Sequence, residues 1–295
     1  MDTGDLRIFE AVARLGGMNR AAAELNTVQS NVTARIRHLE TSLGSILFQR
    51  HSRGVALTPA GQRLLPYARR AGTLITDARR AVADDGRPKG DLAIGSLETT
   101  AALRLPEVLA SYAADYPEVD LVLRTGTSAE LIEQVLEHRL EGAFVCGPVD
   151  HPDLLEETVF AEELVLVTSR RIARPDDLAR EARLKIVVLR AGCSYRQRLE
   201  AILAARGIVG LRLLEFGTID GILGCVGAGL GISLLPRSVV AHAAREGRVA
   251  LHALAPDEAE VSTVFVRRHD AFVSSALATF LDCARPTPAH AAAAE

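Results

Sequence analysis

The segment MNRAAAELNTVQSNVTARIRHLETSLGSILFQRHSR, Met18 to Arg53, constrains the chain more than any other. It reads as two short helices broken at Asn26 to Val28, and in the second Val32, Ile36, Leu39 and Leu43 recur at spacings of four, three and four. That period commits one helical face to a core. The rest of the surface carries Ser30, Asn31, Thr33, Arg37 and His38, side chains suited to hydrogen bonding or charge contact with a large polar partner. The pattern predicts a helix-turn-helix whose second helix does the reading. Asn19 is placed to cap the first helix and Thr27 the second, and Gly44 to end the second in a left-handed residue. Ile46 to Phe48 then predicts the first arm of a wing, Gln49 to Gly54 its tip and Val55 to Leu57 its return, with Arg50 and Arg53 on the tip.

Charge separates a DNA-binding module from an ordinary three-helix one. From Thr27 to Arg70 the basic residues are Arg35, Arg37, Arg50, Arg53, Arg63, Arg69 and Arg70, and the only acid is Glu40. A basic cluster inside a chain of formal net charge -3 is the asymmetry expected of a phosphate-binding region. Any one of these arginines alone reads equally well as a solvated surface residue. Together, around a helix-turn-helix pattern, they favour double-stranded DNA as the partner.

Asp5 to Leu15 predicts a supporting helix with Leu6, Phe9 and Val12 inward. After the wing, Thr58 caps a long helix with Pro59 at its first position, where a missing amide hydrogen is harmless. Leu64, Ala68, Ala71, Ile75, Ala78 and Val82 recur along it until Asp84, Asp85, Gly86 and Pro88 stop it. At 1.5 Å per residue a helix of about 27 residues is about 40 Å long, too long to pack wholly on so small a module. The same helix of a second copy is the expected partner, and would set two reading helices in successive major grooves. The alternative is packing within its own chain.

The run from Leu6 to Tyr67, with AAAELN, VTARIRHLETSLGSILFQR and LTPAGQRLLPYA, resembles the winged helix-turn-helix of LysR-type transcriptional regulators. Within that family VTARI and the later TGTS and AGCSYR segments are similar to the YofA/SoxR-like branch. The family often has Arg where this chain has Ala34, which can touch a thymine methyl but donates no hydrogen bond. The resemblance implies an N-terminal winged helix-turn-helix (all-α plus a small wing), a long linker helix, and an α/β effector domain of two lobes resembling type 2 periplasmic binding proteins. The expected divisions are residues 1–58, 59–88 and 89–295. Lobe I would take about 91–162 and 263–285, lobe II about 163–262, with the two crossings as hinge. It further implies a homodimer or homotetramer, with RNA polymerase as a further partner.

From Lys89 the residues themselves read as short apolar strands, LAIGSL, VDLVLRTG, LEGAFVCG, ELVLVTS, KIVVLRA, LRLLEFG, GISLLP and STVFVRR, mostly separated by helical patterns. The helices are expected at Ala101 to Tyr116, Ala129 to Glu137, Ser194 to Arg206, Ile219 to Ala228, Ser238 to Glu246 and Asp270 to Ala284. Alternation of this kind implies a parallel sheet covered on both faces. Such sheets bind ligands beyond the carboxyl ends of their strands. The turns there share a chemistry: Ser96, Thr99 and Thr100; Thr127 and Ser128; Cys193 and Ser194; and Thr218. Each group sits where helix amides point outward, a cradle for a carboxylate or another small anion. A single such hydroxyl reads more simply as a helix cap; four such turns on one edge point to a pocket.

Length and the 48% hydrophobic content give enough material for two or three domains. The N-terminus lacks a basic end followed by an apolar run, and no stretch of about 18 apolar residues could span a membrane, so a cytoplasmic protein without a membrane partner is expected. Cys146, Cys193, Cys225 and Cys283 lie far apart without metal-ligand spacing. A redox-sensing regulator using Cys193 and Cys225 is one alternative. GAGLGIS at Gly227 to Ser233 lacks the strand-turn-helix context of a nucleotide loop, and Ser194 lacks a GxSxG turn. The eight histidines form no HExxH, so no cofactor, no metal and no enzymatic activity are expected. A solute-binding protein is the remaining alternative, disfavoured by the basic winged helix. The favoured reading is a transcriptional regulator that Gln29, Ser30, Asn31, Thr33, Arg35, Arg37, Arg50 and Arg53 hold on DNA, and that a small anionic metabolite controls from the other end.

Overall fold

In the computed structural model the described residues are 1–51, 54–175, 178, 184–189 and 194–285, with Arg50 described by its backbone alone. The chain divides into two compact units, Met1–Asp85 and Gly86–Glu295.

The first unit packs α1 (Thr3–Leu15), α2 (Met18–Glu24) and α3 (Gln29–Leu43) with the hairpin β1 (Phe48–His51) and β2 (Gly54–Leu57), followed by α4 (Pro59–Ala83). Phe9, Val12, Ala21, Val32, Ile36, Leu39 and Leu47 close one core. Leu43, expected on the core face, is 39% exposed. Asp2 and Asp5 form a reciprocal capping box at the start of α1. Two other caps differ from expectation. α2 is capped by Gly17 rather than Asn19, and α3 by Val28 rather than Thr27; neither cap residue makes a side-chain cap bond. Thr27 instead accepts a hydrogen bond from the Asn31 amide at 3.0 Å. Gly44 ends α3 at φ 61°, as its position predicts.

The motif residues have visible duties. Glu40, the single acid of the basic stretch, accepts from the backbone amides of Leu47 at 2.8 Å and Phe48 at 3.2 Å, tying α3 to the wing. Thr58 caps α4 by accepting from the Gly61 amide and donates to the Ile46 carbonyl at 2.7 Å. A Cβ on Gly61 would lie 2.3 Å from the Leu47 carbonyl oxygen, so this contact excludes any side chain there. In α4 only Gly61 and Ala68 are buried, whereas Tyr67, Leu74 and Val82 are 67%, 68% and 91% exposed. Pro66 lies inside the helix without ending it.

The second unit runs β3 (Gly90–Ser96), α5 (Glu98–Leu103), α6 (Leu105–Asp115), β4 (Val119–Thr125), α7 (Ser128–Leu136), β5 (Gly142–Cys146) and β6 (Leu154–Thr168). Then come β7 (Lys185–Leu189), α8 (Ser194–Ala205), β8 (Arg212–Phe216), α9 (Ile219–Gly227), β9 (Ser233–Pro236), α10 (Arg237–Arg245), β10 (Ala250–His252), α11 (Pro256–Ala259), β11 (Glu260–Arg268) and α12 (Ser275–Ala284). The expected helix 101–116 is two helices, because Pro106 in the first turn of α6 cannot continue the helix before it.

The sheet is mixed rather than parallel. β3 pairs in parallel with β4 and β5, and β7 with β8, but β11 runs antiparallel to β5 and β6, and β6 antiparallel to β9 and β10. The cause is the 15-residue β6, of which residues 154–163 pair with β11 and 164–168 with β9 and β10. β6 and β11 thus run between two α/β lobes with separate cores. Leu92, Ile94, Phe144, Phe265 and Phe280 fill one. Leu164, Ile186, Leu199 and Ile232, with a neighbouring group around Val165 and Ile222, fill the other. Among the described residues no helix is long and apolar enough to cross a membrane.

Candidate functional site

At the start of α3 the side chains of Gln29, Ser30 and Asn31 are exposed, Thr33 is half-buried, and Arg37 is exposed one turn later. Val32, Ile36 and Leu39 face the core, so the polar residues between them are turned outward by the helical period itself. Arg37 has no side-chain partner among the described residues. Arg35 departs from its expected role. Its guanidinium lies 2.8 Å from Asp5 and 2.7 Å from Asp2, and Asp5 is 1% exposed, so Arg35 fastens α3 to α1 rather than projecting toward a partner. Arg53 and the Arg50 side chain lie outside the described residues; the backbone of Arg50 is on β1, opposite Val55.

In the second unit, the strand-to-helix turns converge on a cavity of 220 Å³ lined by Leu97, Glu98, Thr99, Thr125, Gly126, Thr127, Glu130, Leu189, Tyr195, Phe216 and Gly217. Both lobes contribute, the first through β3, β4 and the starts of α5 and α7, the second through β7, α8 and the end of β8. Of the expected residues Thr99 and Thr127 reach this lining. Ser96 is fully buried and donates to the Leu97 carbonyl, and Thr100 is buried. Ser128 accepts from the Cys146 amide at 3.2 Å and meets the Ser194 hydroxyl at 3.4 Å, which joins the first turns of α7 and α8 across the lobes. Thr218 caps α9 by accepting from the Gly221 amide. Cys193 lies outside the described residues.

The expected anion cradle is in part taken by the chain itself. At α7 the Thr127 hydroxyl accepts from the Glu130 amide, while the Glu130 carboxylate accepts from the Thr127 amide at 2.9 Å and its hydroxyl at 3.0 Å. A protein carboxylate already sits where a bound one was expected. Glu98 and Glu130 were missed because an acid in a first helical turn reads as a cap. Only the meeting of two lobes brings them to one cavity.

A larger depression of 680 Å³, lined by Arg170, Arg245, Glu246, Gly247 and His252 among others, is open to solvent and touches none of the hydroxyl-bearing turns. Cys225 and Cys283 are free thiols, and Cys225 packs against the Val165 and Ile222 core. Among the described residues no group of histidines, cysteines or acids is placed to hold a metal ion.

Two family models match. Residues 3–62 match the bacterial regulatory helix-turn-helix protein, lysR family, and residues 85–289 the LysR substrate binding domain. The HTH-type transcriptional regulator GltR of Bacillus subtilis (strain 168) is 46% identical over 276 residues, covering 94% of this chain and 93% of that protein. YofA of the same organism is 44% identical over 282 residues, covering 96% of this chain and 98% of its own length. The full-length structure of CbnR in complex with its target DNA is similar at a TM-score of 0.61 and 26% identity, over 96% of this chain and 99% of that one. A full-length OxyR variant from Pseudomonas aeruginosa, at a TM-score of 0.69 and 19% identity over 96% and 93% of the two chains, shares the fold. With a basic helix-turn-helix ahead of a two-lobed α/β unit, and with models and relatives that span both, the chain belongs to the LysR family of DNA-binding transcriptional regulators with an effector-binding domain.

Proposed function

We propose that α3 enters the major groove, with Gln29, Ser30, Asn31 and Thr33 at base edges, Arg37 on the phosphate backbone, and Arg50 and Arg53 contributing from the wing. Arg35 is left out of this set because Asp2 and Asp5 hold it. The observation that carries the reading is the outward row of polar side chains on the first turns of α3, with Arg37 unpartnered at its end. Operators would be read by pairs of such helices, joined through the exposed apolar side of α4. As a transcription factor the protein works in the cytoplasm.

Control comes from a small molecule held in the 220 Å³ cavity, between a lobe of residues 91–162 and 263–285 and a lobe of residues 163–262. A ligand touching both lobes stabilises the lobe arrangement it fits, and shifts the regulator only by its differential affinity for the two arrangements. Effector and DNA affinities are therefore reciprocally coupled. The test is selection of genomic fragments by the full chain, followed by anisotropy titration of the enriched sites. Enrichment of a shared sequence supports the reading. Binding that never exceeds that to random DNA would overturn it.

The redox alternative gains nothing here. Cys225 is packed among apolar side chains, and a shared fold with OxyR at 19% identity says nothing about thiol chemistry.

A further inference from the structure

One of the strands that cross between the lobes carries a bridge between them. β6 changes partner between Glu163, which pairs with β11, and Leu164, which pairs with β9. Glu162 stands one residue before that change, and its side chain is 9% exposed. Its Oε1 accepts from Arg104 Nε at 2.9 Å and its Oε2 from the Ser238 hydroxyl at 3.2 Å. Arg104 belongs to the first lobe and Ser238 to the first turn of α10 in the second, so one carboxylate holds both.

Each arm is anchored in its own lobe. The Arg104 guanidinium lies 5.6 Å from the centre of the Phe160 ring, a distance at which cation and ring attract, and Phe160 stacks on Phe144 in the first core. Arg237, beside Ser238, meets both carboxylate oxygens of Glu163 at 2.6 and 2.7 Å, which holds the start of α10 to the next residue of β6. A carboxylate buried this deeply costs free energy unless its oxygens are hydrogen-bonded. A change of lobe angle that parts α5 from α10 must therefore break one arm.

α5 also reaches the cavity. Its first residues, Glu98 and Thr99, lie on the wall, and Arg104 caps its other end. With six residues the helix is about 9 Å long, so its two ends move together.

We infer that Glu162 is the positioning residue of the lobe arrangement: it latches α5 to α10, and α5 links that latch to the cavity. The latch stands on its own geometry, whereas its bearing on DNA rests on the reading that the lobe arrangement controls the regulator.

The test measures, by pulsed electron resonance, the distance between nitroxides on p-acetylphenylalanine at the exposed Ala278 of α12 and Ala204 of α8, one in each lobe of the full chain. An excess of unlabelled chain keeps the distances within single copies. Ser238→Ala removes one arm and leaves Arg104 on the buried carboxylate, so the protein should fold while the distribution broadens or moves. Arg104→Ala, which cuts the other arm, should broaden it as well. Ser238→Thr keeps the hydroxyl and should retain the wild-type distribution. Affinity for the enriched operator should change about two- to tenfold in the alanine variants, the shift in a two-state equilibrium that one lost hydrogen bond brings. A wild-type distribution in either alanine variant, or broadening in Ser238→Thr, overturns the latch. A changed distribution with unchanged operator affinity supports the latch and overturns the control of DNA by the lobes.

Discussion

Asp5 Oδ1 lies 2.8 Å from Arg35 Nε, and this contact fixes α3 against the first turn of α1. Asp5 is 1% exposed, so its carboxylate depends on the Arg35 charge, and Asp2 takes a second nitrogen of the same guanidinium at 2.7 Å. Because the arginine side chain is 35% exposed, solvent screens part of the interaction.

Arg35→Ala should therefore lower the stability of the N-terminal unit by about 1–3 kcal/mol, much of it from the stranded carboxylate. Asp5→Asn should cost less, and the double variant should recover part of the Arg35→Ala loss. Urea unfolding of the three variants checks this. Additive losses would show that the two groups do not interact.

On DNA, Thr33→Ala should mainly reduce the ratio of operator to random-sequence affinity. Arg37→Ala should weaken both alike and reduce the slope of log K against log salt by about one. Anisotropy at several salt concentrations separates the two. Equal losses on both DNAs from Thr33→Ala would remove it from the groove.

Leu74 and Val82 are 68% and 91% exposed on a helix that, at 25 residues, is about 38 Å long. Apolar groups left in water on such a helix call for a second copy of the chain. Leu74→Asp with Val82→Asp should reduce the oligomer to a smaller species without unfolding either unit, as measured by sedimentation. An unchanged mass would place the contact elsewhere.

The Thr168 hydroxyl lies 2.8 Å from His252 Nε2 and 3.1 Å from the Ser169 carbonyl oxygen, within hydrogen-bonding distance of both. Burial holds His252 below the ordinary imidazole value of 6.5. The unfolded chain then takes up a proton near that pH that the folded chain refuses. Stability is complete above pH 6.5 and declines as pH falls toward the lowered folded value. His252→Gln can keep the bond to Thr168 and should flatten this part of the decline, measured as urea midpoints from about pH 7.5 down to about pH 5.5. Identical pH profiles would show that His252 does not titrate there.

The parts legible in the sequence are those governed by near neighbours. Gly44 ends α3 in the left-handed conformation and Thr58-Pro59 opens α4 because a cap needs only its own turn. The inward row Val32, Ile36 and Leu39 leaves the polar row of α3 no other side. The caps at Asn19 and Thr27 were misplaced because a glycine and a valine hold those positions, where the packing of three helices sets where each begins. The first half of β6, LLEETVFAEE, gave no strand signal, since most of its side chains are solvated and its extended form comes from pairing with β11, some hundred residues later.

The sequence by itself determined the reading module, its basic surface and the alternation of strands and helices, because helical period, capping and charge act over a few residues. Only the tertiary structure decided that Arg35 serves Asp5 rather than an outside partner, and that β6 and β11 run between both lobes. It alone set Glu98 and Glu130 on one cavity wall with Thr99, Tyr195 and Phe216. These residues come from strands and helices far apart in the chain, and what they can bind depends on distances that no local pattern encodes.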